Sequence, residues 1–335
     1  MRFAVVVIVL VSSIAGSVHA AEHASWAAFT RANRFKCPAP FDTIKGGRTI
    51  QLGDKSYKHT GYKLEVQSPD ADDRIVLGVL SAIKDAGPET LANLSRAFTA
   101  FKKAGVEWVV VNGDLSLEEE GLEGVFDALG GSGLPTVVLM GNAESKGSFG
   151  RVFLEKEKTY PNLVNGGWVR QLLLDDAELW TMPGYYDKKF VRQGAGCVYG
   201  KADVDALGRL KPGKGPVVLV SHGPPRGVGN GGIDWMKTAN NVGDPALQAF
   251  IVDKGIRFGI FGHILESGGS AMGSDMRSKI EPKTEMTDLF VNAGSASASA
   301  ESLNDGRVAH GMAMIITMAG GKAQYDLLHL DKLAD

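Results

Sequence analysis

The sequence predicts an α/β fold built on parallel sheet. Short, almost wholly apolar runs alternate with amphipathic segments between Arg74 and Met140, the pattern of strands joined by right-handed helical crossovers. The alternation returns after Pro216. The chain has 335 residues, 44% hydrophobic and 22% charged, a balance that excludes collagen-like, coiled-coil and intrinsically disordered classes. A chain of this length buries a full core without disulfide or metal staples. Its 43 glycines and 13 prolines are too few for disorder to be the default, so they read as loops of a folded protein. A formal net charge of -2 argues against a broad basic surface for nucleic acid.

Residues 1–20 read as a secretory signal. Arg2 is the charged start, Phe3 to Leu10 the apolar run, and Val18-His19-Ala20 the small-residue site, with Ala20-Ala21 the expected cleaved bond. The run is short for a transmembrane helix of roughly 20 residues, although an uncleaved N-terminal anchor is the alternative. No later segment is long and apolar enough to span a bilayer. The mature chain is therefore expected to be exported, periplasmic or extracellular, with no membrane span. Residues 21–69 are mixed and polar and read as an extension wrapped on a domain of residues 70–335, with a short hairpin as an option. Cys37 and Cys197 permit one disulfide in an exported protein. Two separate buried thiols are an equal alternative, since spacing alone does not bring the Cα atoms into reach.

From Arg74 the elements follow in order. Ile75–Leu80 suits a strand buried on both faces. Pro88 stands at a helix start, and Leu91, Leu94, Ala97, Phe98 and Phe101 follow at helical spacing up to Gly105. Trp108–Val111 is the next strand. Leu122, Val125, Phe126 and Leu129 mark a helix closed by Gly130-Gly131, and Thr136–Met140 is a third strand. Val169–Leu174 and Glu178–Met182 read as strands. Pro216–Ser221 and Arg257–Phe261 are strands around a helix at Asp244–Asp253. Leu289–Val291, Met312–Thr317 and Ala323–Leu330 complete the set. The small-residue segments Gly227–Gly232, Ser267–Ser274 and Ala293–Ala300 read as loops.

In open α/β sheets, ligands bind at the carboxyl ends of strands. Here those ends read Asn112-Gly113-Asp114, Gly141-Asn142-Ala143-Glu144, Ser221-His222-Gly223 and Gly262-His263-Ile264-Leu265. They present one Asp, one Asn and two His, oxygen and imidazole ligands suited to a divalent transition metal such as Mn, Fe or Zn. Alone, Asp or Asn caps turns, and a lone His after a strand is more often structural. Four at equivalent positions exceed what turn chemistry explains.

These motifs, with Asn292-Ala293-Gly294-Ser295, resemble the calcineurin-like metallophosphoesterase family from roughly Arg74 to Asp335. The resemblance implies a four-layer αββα sandwich with two adjacent metals at the strand ends. The departures are specific. The family opens with Asp-x-His, where this chain has Ala82 and Lys84. Its Asn-His pair is Asn142-Ala143 here, and its closing Gly-His-x-His keeps His263 but has Leu265 for the second His. Three of the four ligands of one family metal are missing. All four of the other stand, as Asp114, Asn142, His222 and His263, which implies one metal rather than two.

The expected function is metal-dependent phosphoester hydrolysis of reduced or altered scope, on a small phosphoester or a phosphorylated substrate. Lys84 is a candidate phosphate contact, as a point charge, and a solvated lysine is its alternative. Asp85 is a candidate substitute ligand. Tyr185, Tyr186, Trp235 and Arg226 are candidate walls of the cleft, and His310 has no assigned role. The competing class is a pseudophosphoesterase that binds a ligand or partner without turnover. A third reading, with His222 and His263 as core residues, predicts stability indifferent to chelator.

Overall fold

A computed structural model describes residues 37–38, 47–70, 72–192 and 196–333. The expected signal segment, and most of the chain before residue 47, lie outside the described residues. Three antiparallel strands come first, β1 (Arg48–Leu52), β2 (Lys55–Thr60) and β3 (Lys63–Val66), turned at Gly53 and Gly61 with positive φ. Then follow β4 (Arg74–Leu80), α1 (Pro88–Ala104), β5 (Trp108–Asn112), α2 (Glu119–Gly131), β6 (Thr136–Leu139), α3 (Lys146–Thr159), β7 (Leu163–Asn165), β8 (Gln171–Leu173) and β9 (Glu178–Met182). The chain continues through α4 (Lys201–Leu207), β10 (Val217–Ser221), β11 (Trp235–Met236), β12 (Asn240–Asn241), α5 (Pro245–Lys254), β13 (Phe258–Phe261), β14 (Ser270–Met272), β15 (Lys279–Ile280) and β16 (Leu289–Asn292). It closes with β17 (Glu301–Ser302), β18 (Val308–Ala309), β19 (Met312–Ala319) and β20 (Lys322–His329).

Two large sheets result. One has the order β20-β19-β4-β5-β6-β7, and the other β1-β2-β3-β8-β9-β10-β13-β16-β14-β15. β4 to β7 are parallel, as are β9, β10, β13 and β16. The period-two strand pattern sorts the side chains. Ile75, Leu77, Val79, Val110 and Val137 face Leu179, Val218, Val220, Ile260 and Val291 between the sheets. Val76, Leu80, Val109 and Val111 face outward beneath Leu94, Phe101, Phe126 and Phe149 of α1 to α3. Trp180, Leu219, Phe261 and Phe290 do the same beneath Leu207, Leu247 and Phe250 of α4 and α5. This is the αββα sandwich.

Local signals explain the helix limits. α1 starts at Pro88 and ends at Gly105, whose φ of 71° is the left-handed conformation that stops a helix. The Asp244 side chain accepts the Ala246 N–H at 2.7 Å and caps α5, which Gly255 ends at φ 60°. The sequence reading missed α3. Its Phe149, Val152 and Phe153 are helically spaced, but Gly147 and Gly150 interrupt them. β14 lies inside the small-residue segment 267–274, and Ala293–Ser297 is a loop with every residue buried. The segment read as an extension supplies β1 to β3, and β3 joins the larger sheet parallel to β8.

An acidic cluster lies at the edge where β4 and β9 begin, opposite the chemistry-bearing strand ends. Lys55 Nζ is 2.8 Å from Asp70, 3.2 Å from Glu107 and 2.5 Å from Asp175. Beside them, Asp176 Oδ2 is buried with no hydrogen-bond partner among the described residues. Burial, and then the Asp175 charge, push the Asp176 carboxyl up from 3.8 to about 6. A raised native value favours folding only while the group is protonated, so that stability is lost as pH rises through about 6. Asp176→Asn is expected to raise the melting temperature at pH 8 and leave it nearly unchanged at pH 4. Equal shifts at both would count against this account.

Candidate metal centre

β5 delivers Asp114 through a tight turn. Gly113 has φ 81°, and a Cβ there would lie 2.5 Å from His222 Nδ1 and 2.6 Å from Gly141 N. Only glycine fits so close an approach of backbone and ring. Asp114 itself has φ 57°, and its Oδ1 accepts the N–H groups of Asn142 and Ala143, each at 3.1 Å. A Cβ on Gly141 would overlap that same oxygen. The two glycines let the loops after β5 and β6 close on each other.

Glu144 locks this closure. It is fully buried, and its carboxylate accepts Gly141 N–H at 2.9 Å and also Leu115 N–H. Burial, then the Asp114 charge, push the Glu144 carboxyl up to about 7. The sequence reading quoted Glu144 within its motif and assigned it no role.

His222 follows β10 and is wholly buried. Its Nδ1–H donates to Asn112 O at 2.8 Å, which fixes the tautomer and leaves the Nε2 lone pair free in the neutral ring. Around that Nε2 stand Asn142 Oδ1 at 2.9 Å, His263 Nδ1 at 3.2 Å and Asp114 Oδ1 at 3.3 Å. The Asn142 amide is not free to flip, because its Nδ2 donates to the Phe190 carbonyl. The loop after His263, which has φ 65°, is tied by Asn292 Nδ2 donating to Ile264 O at 2.8 Å.

Lone pairs from two oxygens and two imidazoles thus converge, an arrangement that needs a cation or a proton at its centre. The ligand atoms of Asp114, His222 and His263 lie within 4.8 Å of one another. This set fits a divalent transition metal. The electrostatics agree. Burial raises the Asp114 carboxyl, but the adjacent His222 outweighs it and holds the group well below the usual carboxylate range. Burial lowers His222, and Asp114 more than restores it. Burial, then His222, push His263 down to about 3.

The other half of the site is different. Ala82 and Lys84 sit after β4 with φ 46° and 69°, and Lys84 N–H donates to Asp114 O at 3.0 Å. The Lys84 ammonium is ion-paired with Glu301. Asp85 accepts Gly87 N–H at 2.8 Å and Ser297 Oγ–H at 3.2 Å, so both its oxygens are engaged locally. Tyr185 stacks on His263 with centroids 4.0 Å apart, and the Tyr185 and Tyr186 hydroxyls both donate to Val242 O. Arg226 Nη2 donates to Asn241 O at 2.6 Å. Trp235 joins the short β11–β12 ladder.

Sequence reasoning missed Phe190 and Arg192. Phe190 ends a one-turn 3-10 helix (Lys188–Phe190) and Arg192 lies just beyond it, neither in a motif, and their only sequence signal is that the segment follows the end of β9. Arg192 N–H donates to Asn142 O at 3.3 Å, and its exposed guanidinium has no described side-chain partner.

The family model for calcineurin-like phosphoesterases matches residues 59–267, a span that includes Asp114, Asn142, His222 and His263. The chain belongs to the calcineurin-like phosphoesterase family. Solved structures share the phosphoesterase fold at low identity. One aligns at 16% identity and TM-score 0.55, covering 77% of this chain and 99% of its own. The protein TT1561 of Thermus thermophilus aligns at 12% identity and TM-score 0.50, covering 76% of this chain and 99% of that one. Purple acid phosphatase PPD1 from yellow lupin seeds aligns at 10% identity and TM-score 0.52, covering 84% of this chain and 55% of that one. No curated protein matches.

Proposed function

We propose that this family member is an exported phosphoester hydrolase working with one divalent metal, with narrowed activity toward small phosphoesters or phosphorylated substrates. The observation that carries it is the convergence of Asp114, Asn142 and His263 on His222 Nε2, beside a half-site where Lys84 pairs with Glu301. Asp114, Asn142, His222 and His263 would hold Mn, Fe or Zn. Such an ion supplies Lewis-acid charge for a phosphoryl oxygen and acidifies water.

The chain's own groups do the rest. Asn112 O and Phe190 O orient the His222 ring and the Asn142 amide. The Arg192 guanidinium, whose charge is felt at His263, would offer a planar fork to the phosphoryl group. Lys84 reaches an anion only when Glu301 releases it. Ala143 has no proton to give a leaving group, and loss of general-acid help costs about 10²–10⁴-fold. The substrates favoured are therefore esters of acidic alcohols, such as aryl phosphates. Export is supported by the Cys37–Cys197 disulfide, whose Cα atoms are 5.2 Å apart, because such bonds persist in oxidising compartments.

The test is a panel of aryl and alkyl phosphates with the metal-loaded full chain. Turnover of aryl esters that disappears in His222→Ala supports the reading, and turnover that survives in His222→Ala contradicts it. The Lys84–Glu301 pair favours a second reading, a pseudophosphoesterase that binds phosphate groups without turnover. Saturable binding of orthophosphate with no hydrolysis across the panel would select it.

A further inference from the structure

The two histidines of the cluster are held by different means. His222 has the Asn112 carbonyl on its second nitrogen. His263 makes one hydrogen bond among the described residues, through Nδ1 to His222, and has no polar partner on Nε2. Metal-binding histidines are normally oriented by an outer hydrogen bond. Here rings stand in that place. Tyr185 lies against His263 with centroids 4.0 Å apart and planes at 35°, and Phe190 meets it edge-on at 6.1 Å. The two aromatic rings also pack on each other, at 5.7 Å and 81°.

The segment that carries them is held at several points. Gly184 N–H donates to Met140 O at 2.9 Å, and Tyr185 N–H donates to Cys197 O at 3.1 Å, beside the disulfide. The Tyr185 hydroxyl donates to Val242 O at 2.9 Å. A Cβ on Gly223 would overlap the Tyr185 ring, so the residue after His222 leaves room for it. Further along, Phe190 O accepts from Asn142 Nδ2 and Arg192 N–H donates to Asn142 O. One strap, residues 183–192, thus contacts two of the four ligands and neighbours a third.

We propose that Tyr185 and Phe190 are positioning residues for the metal centre, the Tyr185 ring setting the His263 plane and the Phe190 segment setting the Asn142 amide. The proposal rests on the metal-site reading above. It gives the strap a role that neither hydrolysis nor its absence would change, because it concerns ligand geometry.

The test uses the full chain reconstituted with Co(II), reading the ligand-field absorption spectrum and the Kd by chelator competition, with urea midpoints of the metal-free proteins as the folding control. Tyr185→Phe keeps the ring and is expected to match the unaltered chain in spectrum and to within about twofold in Kd. Tyr185→Leu is expected to weaken binding by about 10–100-fold, the range for lost outer-shell support, and to change the spectrum. Phe190→Ala is expected to weaken binding in the same direction. Phe190 as a residue is 46% exposed, so it carries the test if Tyr185→Leu does not fold. Unaltered Kd and spectrum in the folded Leu and Ala variants would overturn the proposal. No Co(II) binding by the unaltered chain would overturn the metal-site reading itself.

Discussion

Asp114→Asn is expected to abolish useful metal affinity while leaving the fold intact. Asp114 is the only anionic member of the four-residue set. The amide oxygen of Asn can still accept the Asn142 and Ala143 N–H groups, which lie 3.1 Å from Oδ1. What disappears is the negative charge opposite the imidazoles. The loss should exceed the roughly 100-fold upper range for removing an outer-shell partner. The readout is thermal. Metal at about 100 times Kd stabilises a native state by about 2.7 kcal/mol. The unaltered chain should therefore melt higher with metal than with chelator, and Asp114→Asn should melt at the same temperature in both. A preserved metal-dependent shift in the variant would refute the assignment.

Gly113→Ala should be the most damaging single-methyl change near the site. The backbone at φ 81° costs an alanine about 1–2 kcal/mol. The new methyl would also sit 2.5 Å from His222 Nδ1 and 2.6 Å from Gly141 N, and overpacking of that kind typically adds about 1–3 kcal/mol. Relief means moving His222 off the Asn112 carbonyl, so metal affinity should fall along with the urea midpoint. Gly131→Ala is the control. It is the last residue of α2 with no atom within 4 Å of the added carbon, and should leave the urea midpoint unchanged or slightly raised. A Gly113→Ala protein as stable as the unaltered chain would mean that the loops after β5 and β6 do not pack this closely.

The contrast between these glycines bears on what can be read from sequence. The strand ends were legible because each is a local event, a short, almost wholly apolar run followed by glycine and polar residues. That was enough for the parallel order around β4 to β6 and for the candidate ligands after four strands. Contacts formed between distant segments were not legible. Asn142 meets Phe190 across 48 residues, His222 meets Asn112 across 110, and Cys37 meets Cys197 across 160. Nothing at residue 190 marks its carbonyl as the partner of an amide after β6. The Lys84–Glu301 pair is of the same kind, separated by 217 residues. Lys84 was noticed for its place in a motif, but its neutralising carboxylate lies in a two-residue strand with no periodic signature. α3 was missed for a different reason. Its stability comes from Phe149 and Phe153 packing on Phe126, a tertiary contact that compensates for glycines in its own first turns.

The central claim is that this chain keeps one metal position and has lost the other. Elemental analysis of the purified full chain after reconstitution with Mn and Zn, expressed as ions per chain, tests it most directly. The account predicts about one ion, lost in Asp114→Asn. Two ions per chain would contradict it, because the half-site with Ala82, Lys84 and Leu265 would then be holding metal, and none would contradict it from the other side.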